Sequence, residues 1–370
     1  MAATASGKSK SRKRKANQTY IDHLYDQIYA TLYGQCIGDA LGLLTETLTK
    51  GDAKRHYSQV GKHLDYIHKK MVADAHRVKW DVGDWTDESD QMILIMQSLI
   101  DNNGKVNMQD FARKLMEWWE GGFPDLKDVR GVGLCGSIKG VITHSLFSVE
   151  PQKAAEIVWR NSRCYPATNE AVSRTSVLGV HMFRCMGKVI QNTVEICKTT
   201  HADPRCQASC VAVTLAIALL LQKQPEIKRK NGQFDVDMIA RECYAYASKC
   251  LIGTKHDPKE LKQYIFTTSL RELKLDEPGR VSYTYKTLGA GFWALRQKDF
   301  REAIQAVVME GGDADANGAV AGALLGCKLG LDAIPRAWIE NLQHRYWLDQ
   351  IIDQFLQVME GTKVKYETAV

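Results

Sequence analysis

The sequence predicts an all-α fold. Apolar residues recur at spacings of three and four almost throughout, whereas alternating polar and apolar runs long enough for a sheet are missing. Residues 281–286 are the one plausible strand-like piece, too isolated to support a sheet. Hydrophobic residues at 45% and charged residues at 25% are ordinary for a soluble globular chain of 370 residues.

The helical patterns can be followed along the chain. From Gln91 a deeply buried helix is predicted, because apolar residues cover most of its surface: Met92, Ile93, Leu94, Ile95, Met96, Leu99 and Ile100. Shorter patterns follow at Phe111, Leu115, Trp118 and Trp119, and at Ala154, Ile157 and Val158. The apolar run 211–221 is shorter than the roughly 20 residues that cross a bilayer, so no membrane span is expected. Residues 223–232 are predicted to be a surface loop.

One domain over residues 20–362 is predicted, since no repeat or low-complexity linker divides the chain. The formal net charge is +6, and six basic residues before the first acid supply it: Lys8, Lys10, Arg12, Lys13, Arg14 and Lys15. The rest is formally neutral, so the domain is not expected to bind nucleic acid. Residues 1–19 are predicted to be a disordered basic tail, either a nuclear address or a solvated leader, and residues 363–370 a short C-terminal tail.

The cellular setting is predicted to be cytoplasmic, nuclear or both. Residues 1–17 contain no apolar segment typical of a secretory signal. The ten cysteines are scattered without a CxxC pair, which is typical of reduced thiols that fill a core. No exposed heptad pattern argues for assembly, so a monomer is expected.

A stripe of glycines marks the last strongly apolar segment. Gly318, Gly322, Gly326 and Gly330 recur every four residues and would give a helix one smooth face. Each glycine costs a helix about 1 kcal/mol relative to alanine. The stripe therefore predicts close packing against another helix backbone.

Two acidic segments lie at predicted helix starts. Thr86-Asp87-Glu88-Ser89-Asp90 precedes the buried helix, and Gly311-Gly312-Asp313-Ala314-Asp315 precedes the glycine-striped one. Ordinary helix capping explains one or two acids in each segment. If the two starts meet, however, four carboxylates would crowd one place, which requires protons or cations. Oxygen ligands alone favour Mg²⁺ or Mn²⁺, and four carboxylates suit two ions.

A third segment, Gly38-Asp39-Ala40-Leu41-Gly42, is followed by Glu46. Asp39 is expected to cap a helix or a turn, whereas Glu46, after an apolar run, is the better candidate for a site carboxylate.

These three segments, in this order and spacing, resemble the ADP-ribosylglycohydrolase family over roughly residues 25–335. Two middle segments strengthen the resemblance: Asn169-Glu170-Ala171-Val172-Ser173-Arg174 is similar to the family's Asn-Gly-x-x-Met-Arg loop, and Thr200-His201-Ala202-Asp203-Pro204 to its Thr-His segment. The resemblance implies a compact orthogonal bundle of many helices, with two Mg²⁺ ions (replaceable by Mn²⁺) beneath a cleft for ADP-ribose or an ADP-ribosylated protein.

The resemblance also implies roles for individual residues. The metal ligands would be Thr86, Asp87, Glu88, Asp313 and Asp315, and Glu46 would lie near the scissile bond. Asp87, Glu88, Asp315 and Glu46 are all possible catalytic bases. Gly131, Gly133 and Gly136 would form a flexible loop near the pyrophosphate, and Asn169, Arg174 and His201 would line the nucleotide side.

Some positions depart from the family pattern. Ala316 stands where Thr or Ser is usual, Glu88 where Asp is commonest, and Glu170 where the loop has glycine. Two interpretations follow. The chain is either a metal-dependent hydrolase of ADP-ribosyl conjugates or an impaired descendant that binds ADP-ribose or acts structurally, like crystallins that resemble this family. Neither the linkage nor the acceptor is predicted.

Overall fold

The computed structural model describes residues 4–58, 63–66, 71–163 and 167–367, and the side chains within these ranges from residue 23 to residue 361. The predictions of a disordered tail over residues 1–19 and of a short tail over residues 363–370 stay predictions; where the backbone is described, residues 4–19 begin a helix and residues 363–367 end one. The domain limits of 20 and 362 stay predictions too.

In the described ranges the chain forms eighteen α-helices and no β-strand, which confirms the all-α prediction. The first nine are α1 (Thr4–Gly42), α2 (Lys50–Tyr57), α3 (Asp87–Asp101), α4 (Met108–Gly121), α5 (Gly136–Ile142), α6 (Pro151–Asn161), α7 (Glu170–Arg174), α8 (Ser176–Val180) and α9 (Met186–Lys198). The others are α10 (Pro204–Gln222), α11 (Val236–Ala247), α12 (Pro258–Ile265), α13 (Leu270–Leu273), α14 (Thr284–Leu295), α15 (Phe300–Val308), α16 (Ala314–Leu329), α17 (Arg336–Glu340) and α18 (Arg345–Glu367).

The strand-like interpretation of residues 281–286 was wrong. These residues form a turn and the start of α14, and Tyr283 makes only an isolated bridge to Thr168. The short alternation came from Tyr283 in the turn and Tyr285 in α14, which both pack in the core.

The core is built around three helices, α1, α10 and α16. Both α10 and α16 are apolar on every side and almost wholly buried, as expected for central helices. By length and composition α10 is the one helix of the described ranges that could cross a membrane, and 89% of that apolar window is buried inside the protein. The buried helix predicted from Gln91 is α3, which also lies in the core.

Helices α1 and α16 run antiparallel with their backbones in contact. Gly318 lies against Gly38, Gly322 against Gly34, and Gly326 against Ala30, so a methyl group at any of these glycines would meet a carbonyl of the opposite helix. The stripe therefore packs as predicted, except at Gly330. That residue ends α16 with a φ of +85°, a conformation that favours glycine.

Candidate metal and hydrolase site

The close approach of α1 and α16 brings Asp39, near the end of α1, to the start of α3. One Asp39 oxygen accepts hydrogen bonds from the Thr86 N–H (3.0 Å) and hydroxyl (2.7 Å), and the other from the Ser89 N–H (2.9 Å) and hydroxyl (2.6 Å). Asp39 is fully buried, and burial raises its pKa to about 6. A carboxylate of α1 thus caps α3, so Thr86 makes no side-chain cap bond of its own.

The start of α16 is held by the two glycines before it. Gly311 and Gly312 have φ values of +72° and +71°, which explains why glycine occupies both positions. The Gly312 N–H donates to the Leu48 carbonyl (2.8 Å), and the Thr47 N–H donates to the Gly312 carbonyl (2.7 Å). The segment that carries Asp313 is therefore tied to the turn that carries Glu46.

Three carboxylates from the two helix starts converge. One oxygen each of Glu88, Asp313 and Asp315 lies within 4.8 Å of the others. Glu88 and Asp315 are buried and Asp313 is half-buried. Burial, followed by the charges of neighbouring carboxylates, raises the pKa of Glu88 and of Asp315 well above its ordinary value and that of Asp313 to about 6. Like charges this close need protons or cations between them.

Thr86 faces the same group of carboxylates. Its hydroxyl oxygen lies 2.7 Å from Asp39 and 3.3 Å from an oxygen of Asp315. Because the single hydroxyl hydrogen goes to the nearer acceptor, Asp39, a lone pair of Thr86 faces the oxygen of Asp315. Two acceptors facing each other repel, and either a proton on Asp315 or a cation between the oxygens relieves this.

Asp87 is buried beside this group but has its own contacts. One oxygen accepts a hydrogen bond from Gln91 (2.9 Å). The other lies against Gly133, where a methyl group would overlap the carboxylate. Gly133 has a φ of +113°, so the loop before α5 uses glycine both for its backbone and for this close approach.

Glu46 lies at the rim of the site, in the turn that follows α1. Its side chain is 17% exposed, and its Oε2 lies 2.5 Å from the His76 Nε2. The negative charge of Glu46 is one of the causes that raise the pKa of Asp87, Asp313 and Asp315, after burial.

The short helix α7 supplies a second layer of contacts. The Ser173 hydroxyl donates to Glu88. Asn169 donates its amide to Thr287 (2.8 Å), which donates to Asn317 (2.7 Å), and the carbonyl oxygen of the Asn169 side chain is buried without a partner. A buried acceptor of this kind is costly to leave unpaired, so this oxygen is an unsatisfied acceptor just before α7.

Arg174 does not line the cleft. Its guanidinium is wholly buried, donates to Gln91 (2.7 Å) and to the Thr200 hydroxyl (2.7 Å), and lies 5.0 Å from the centre of the Phe111 ring. Gln91 also donates a hydrogen bond to Asp87, so Arg174 stabilises the position of Asp87 through Gln91.

Glu170 and His201 form a buried pair, with 3.1 Å between Glu170 Oε2 and His201 Nε2. Burial opposes ionisation of Glu170, but the hydrogen bond to His201 and the charge of that ring outweigh it and lower the pKa of Glu170 to about 2. Thr168 lies 3.0 Å from the same ring nitrogen. The carboxylate that replaces the family's glycine is therefore charged and locked to a histidine.

A cavity of 230 Å³ opens beside His201. Its walls are mostly apolar and include Gly136, Ser137, Trp159, Thr168, Thr200 and His201; both ring nitrogens of His201 already have hydrogen-bond partners within the protein, Thr200 on one side and Thr168 and Glu170 on the other. Of the three loop glycines, Gly136 lines this cavity, Gly133 touches Asp87, and Gly131 packs on the Trp118 ring.

The sequence-based candidates thus fall into three groups. Thr86, Glu88, Asp313 and Asp315 come together, with Asp87 and Glu46 next to them. His201 and Gly136 share the neighbouring cavity, whereas Arg174 and Gly131 pack inside. The sequence pattern assigned Asp39 only a cap or a turn, not its contacts with Thr86 and Ser89. It does not mark His76, or the contact of Ser173 with Glu88, because no local pattern indicates a contact between distant segments.

The chain was compared with known proteins. The family model described as ADP-ribosylglycohydrolase matches residues 21–365. An uncharacterized protein of Archaeoglobus fulgidus is 23% identical over 88% of this chain and 95% of its own length. The ADP-ribosylarginine hydrolase Tri1 of Pseudomonas putida is 22% identical (92% of this chain, 82% of its own), and the ADP-ribosyl-dinitrogen reductase glycohydrolase of Rhodospirillum rubrum 20% identical (86% and 91%). A solved structure called an ADP-ribosylglycohydrolase-related protein complex superposes with a TM-score of 0.61 at 21% identity, covering 91% of this chain and 99% of that one.

Proposed function

The chain belongs to the ADP-ribosylglycohydrolase family, and from this premise we propose that it is a metal-dependent hydrolase of the glycosidic bond between ADP-ribose and an acceptor. One observation carries the proposal. Glu88, Asp313 and Asp315 converge from two helix starts, and neither Thr86 nor Asp313, the residues at the cap positions, uses its side chain to cap its helix. Ordinary capping therefore does not account for these side chains.

The donor set fits a hard divalent cation. It consists of buried carboxylates and one hydroxyl whose lone pair faces them, which are ligands that Mg²⁺ and Mn²⁺ favour. Thr86, Asp87, Glu88, Asp313 and Asp315 would hold two such ions. Bound ions would supply electrostatic stabilisation to the ribose hydroxyls and to the attacking water.

Glu46 is the carboxylate best placed to move a proton. Asp87, Glu88 and Asp315 are buried, whereas the Glu46 side chain is partly exposed at the rim, where water can reach it. In the proposed reaction Glu46 accepts a proton from water as the water oxygen bonds to the anomeric carbon. The bond between the anomeric carbon and the acceptor breaks, and the acceptor leaves with the electron pair and takes up the proton that Glu46 received from water.

The cavity beside His201 would receive the nucleotide end of ADP-ribose. His201, Gly136 and Thr168 lie at its wall. We propose a protein-linked ADP-ribose as substrate, a monomeric state and a cytoplasmic or nuclear location.

The test is release of ADP-ribose from arginine-linked and from serine-linked modified protein, in Mg²⁺ and in chelator. We expect release from at least one substrate in Mg²⁺ and none in chelator. If neither substrate releases ADP-ribose at high enzyme concentration, the hydrolase proposal fails. Equal release in Mg²⁺ and in chelator would support the hydrolase proposal and contradict the proposed metal dependence.

A second candidate is an ADP-ribose-binding protein without turnover, and two observations favour it. Ala316 is fully buried and offers only a methyl group where the family pattern supplies a hydroxyl. The charged Glu170 stands where that pattern has glycine, close to the nucleotide side. Saturable binding of ADP-ribose by calorimetry with no release in the assay above would select this candidate.

A further inference from the structure

The turn that carries Glu46 is fixed on both sides by backbone contacts. On one side are the two hydrogen bonds with Gly312 described above. On the other, Arg77, which is 1% exposed, donates from its Nε to the carbonyls of Leu43 (2.9 Å) and Leu44 (3.2 Å), and from another nitrogen to the Glu46 carbonyl. These contacts hold the main chain and leave the Glu46 side chain free to rotate.

His76, next to Arg77, restrains that side chain. Within the described side chains it is the one that hydrogen-bonds the Glu46 carboxylate, at 2.5 Å from Nε2 to Oε2. The ring is itself held, because Trp80 packs edge-on at 5.0 Å between ring centres. The Asp74 carboxylate fixes the backbone beneath it by accepting from the His76 N–H (3.1 Å) and the Arg77 N–H (2.8 Å).

Without the contact to His76, the Glu46 carboxylate would have no fixed position. The turn that carries Glu46 is hydrogen-bonded to Gly312, the neighbour of Asp313, and the like charges of Glu46 and the buried carboxylates repel one another. A glutamate side chain has three rotatable bonds, so a carboxylate without a partner would spread over several rotamers. A donor to one oxygen selects one rotamer and leaves the other oxygen free to accept a proton.

We propose that His76 is a positioning residue for Glu46, one that nothing in the sequence pattern singles out. This inference rests on the proposed function, in which Glu46 takes the proton from water. His76 does not touch the reacting atoms and acts only through the rotamer of Glu46.

Three variants test the proposal by kinetics. His76→Phe keeps an aromatic ring against Trp80 but removes the donor. His76→Gln restores an N–H at nearly the distance of Nε2 from the backbone. His23→Phe is the matched control, since His23 is an exposed histidine of α1 far from the turn that carries Glu46.

We expect His76→Phe to lower kcat by about 10- to 100-fold, the usual effect of losing a partner of a site residue, with KM within about twofold. His76→Gln should recover most of the loss, and His23→Phe should match the wild type. All three should melt within about 2 °C of the wild type. A kcat of His76→Phe equal to the wild type, or no recovery in His76→Gln, would overturn the proposal.

Crystal structures of the wild type and of His76→Phe provide a test that needs no activity. We expect the Glu46 carboxylate on His76 in the wild type, and displaced or spread over several rotamers in His76→Phe. An unmoved Glu46 in the variant would overturn the positioning role. If the wild type releases no ADP-ribose but Glu46 moves as expected, the proposed function fails while the contact between His76 and Glu46 stands.

Discussion

Replacing Gly322 with alanine tests whether the spacing of α1 and α16 depends on the glycine stripe. A methyl group at Gly322 would lie 2.6 Å from the carbonyl carbon of Gly34 and nearer still to its oxygen. The obstacle is backbone on both helices, so no side chain can rotate away to make room. The two helices must separate or shift.

The magnitude follows from two opposing effects. Alanine gains about 1 kcal/mol of helix propensity over glycine. Overpacking in a core costs about 1–3 kcal/mol, and the rigid obstacle places Gly322 at the upper end. The expected net loss is therefore about 2 kcal/mol. With an unfolding entropy of about 0.8 kcal/mol/K for 370 residues, this corresponds to a fall in Tm of roughly 2–3 °C.

The assay is urea unfolding together with scanning calorimetry, and Gly187→Ala is the control. Gly187 lies in the first turn of α9, and a methyl group there meets no atom within 4 Å. The control should unfold at the wild-type midpoint or above it. If Gly322→Ala is as stable as Gly187→Ala, the close packing of α1 on α16 does not require glycine and the reasoning is refuted.

Three further predictions concern charged groups. Asp313→Asn and Asp315→Asn should each abolish the rise in Tm caused by Mg²⁺, while the exposed Asp332→Asn keeps it; the absence of any rise in the wild type would contradict the metal site. Glu170→Gly should bind ADP-ribose more tightly by calorimetry, because it removes a buried negative charge; equal affinity would mean that this carboxylate does not face the ligand. Burial lowers the pKa of His181 from 6.5 to about 4. Between these two pH values the unfolded protein binds a proton at His181 and the folded protein does not, so the free energy of unfolding is highest above pH 6.5 and falls as the pH falls to 4. In urea titrations, the free energy of unfolding should fall by about 3 kcal/mol more in the wild type than in His181→Asn over this pH range. Parallel pH profiles of the two proteins would contradict the prediction.

Much of the fold could be predicted because helical periodicity is a local property. The apolar pattern from Gln91 identified α3, and the glycine spacing identified a helix that packs on a backbone. Gly330 continued that spacing for a different reason, since it ends α16 with a positive φ. The pattern of residues 281–286 misled because five or six residues suit a turn as well as a strand.

The candidate site was harder to predict, because the same acids suit capping and metal binding. Asp39 was expected to cap a helix, and it does, but the helix is α3, which begins 48 residues later in the sequence. Only this distant cap frees the Thr86 hydroxyl to face Asp315. Likewise Arg174 resembled a ligand-binding residue until its contacts placed it inside the core.

The sequence by itself determined the all-α class, the helix starts that carry the acids, and the family resemblance, since each depends on residue types and spacings along the chain. Only the tertiary structure decided which carboxylates lie close together and which of them have a raised pKa. It also decided that Glu170 pairs with His201 and that Glu46 pairs with His76. The reason is physical. Burial and the proximity of charges depend on how α1, α3, α7 and α16 pack, and that packing joins residues as far apart in the sequence as Ala30 and Gly326.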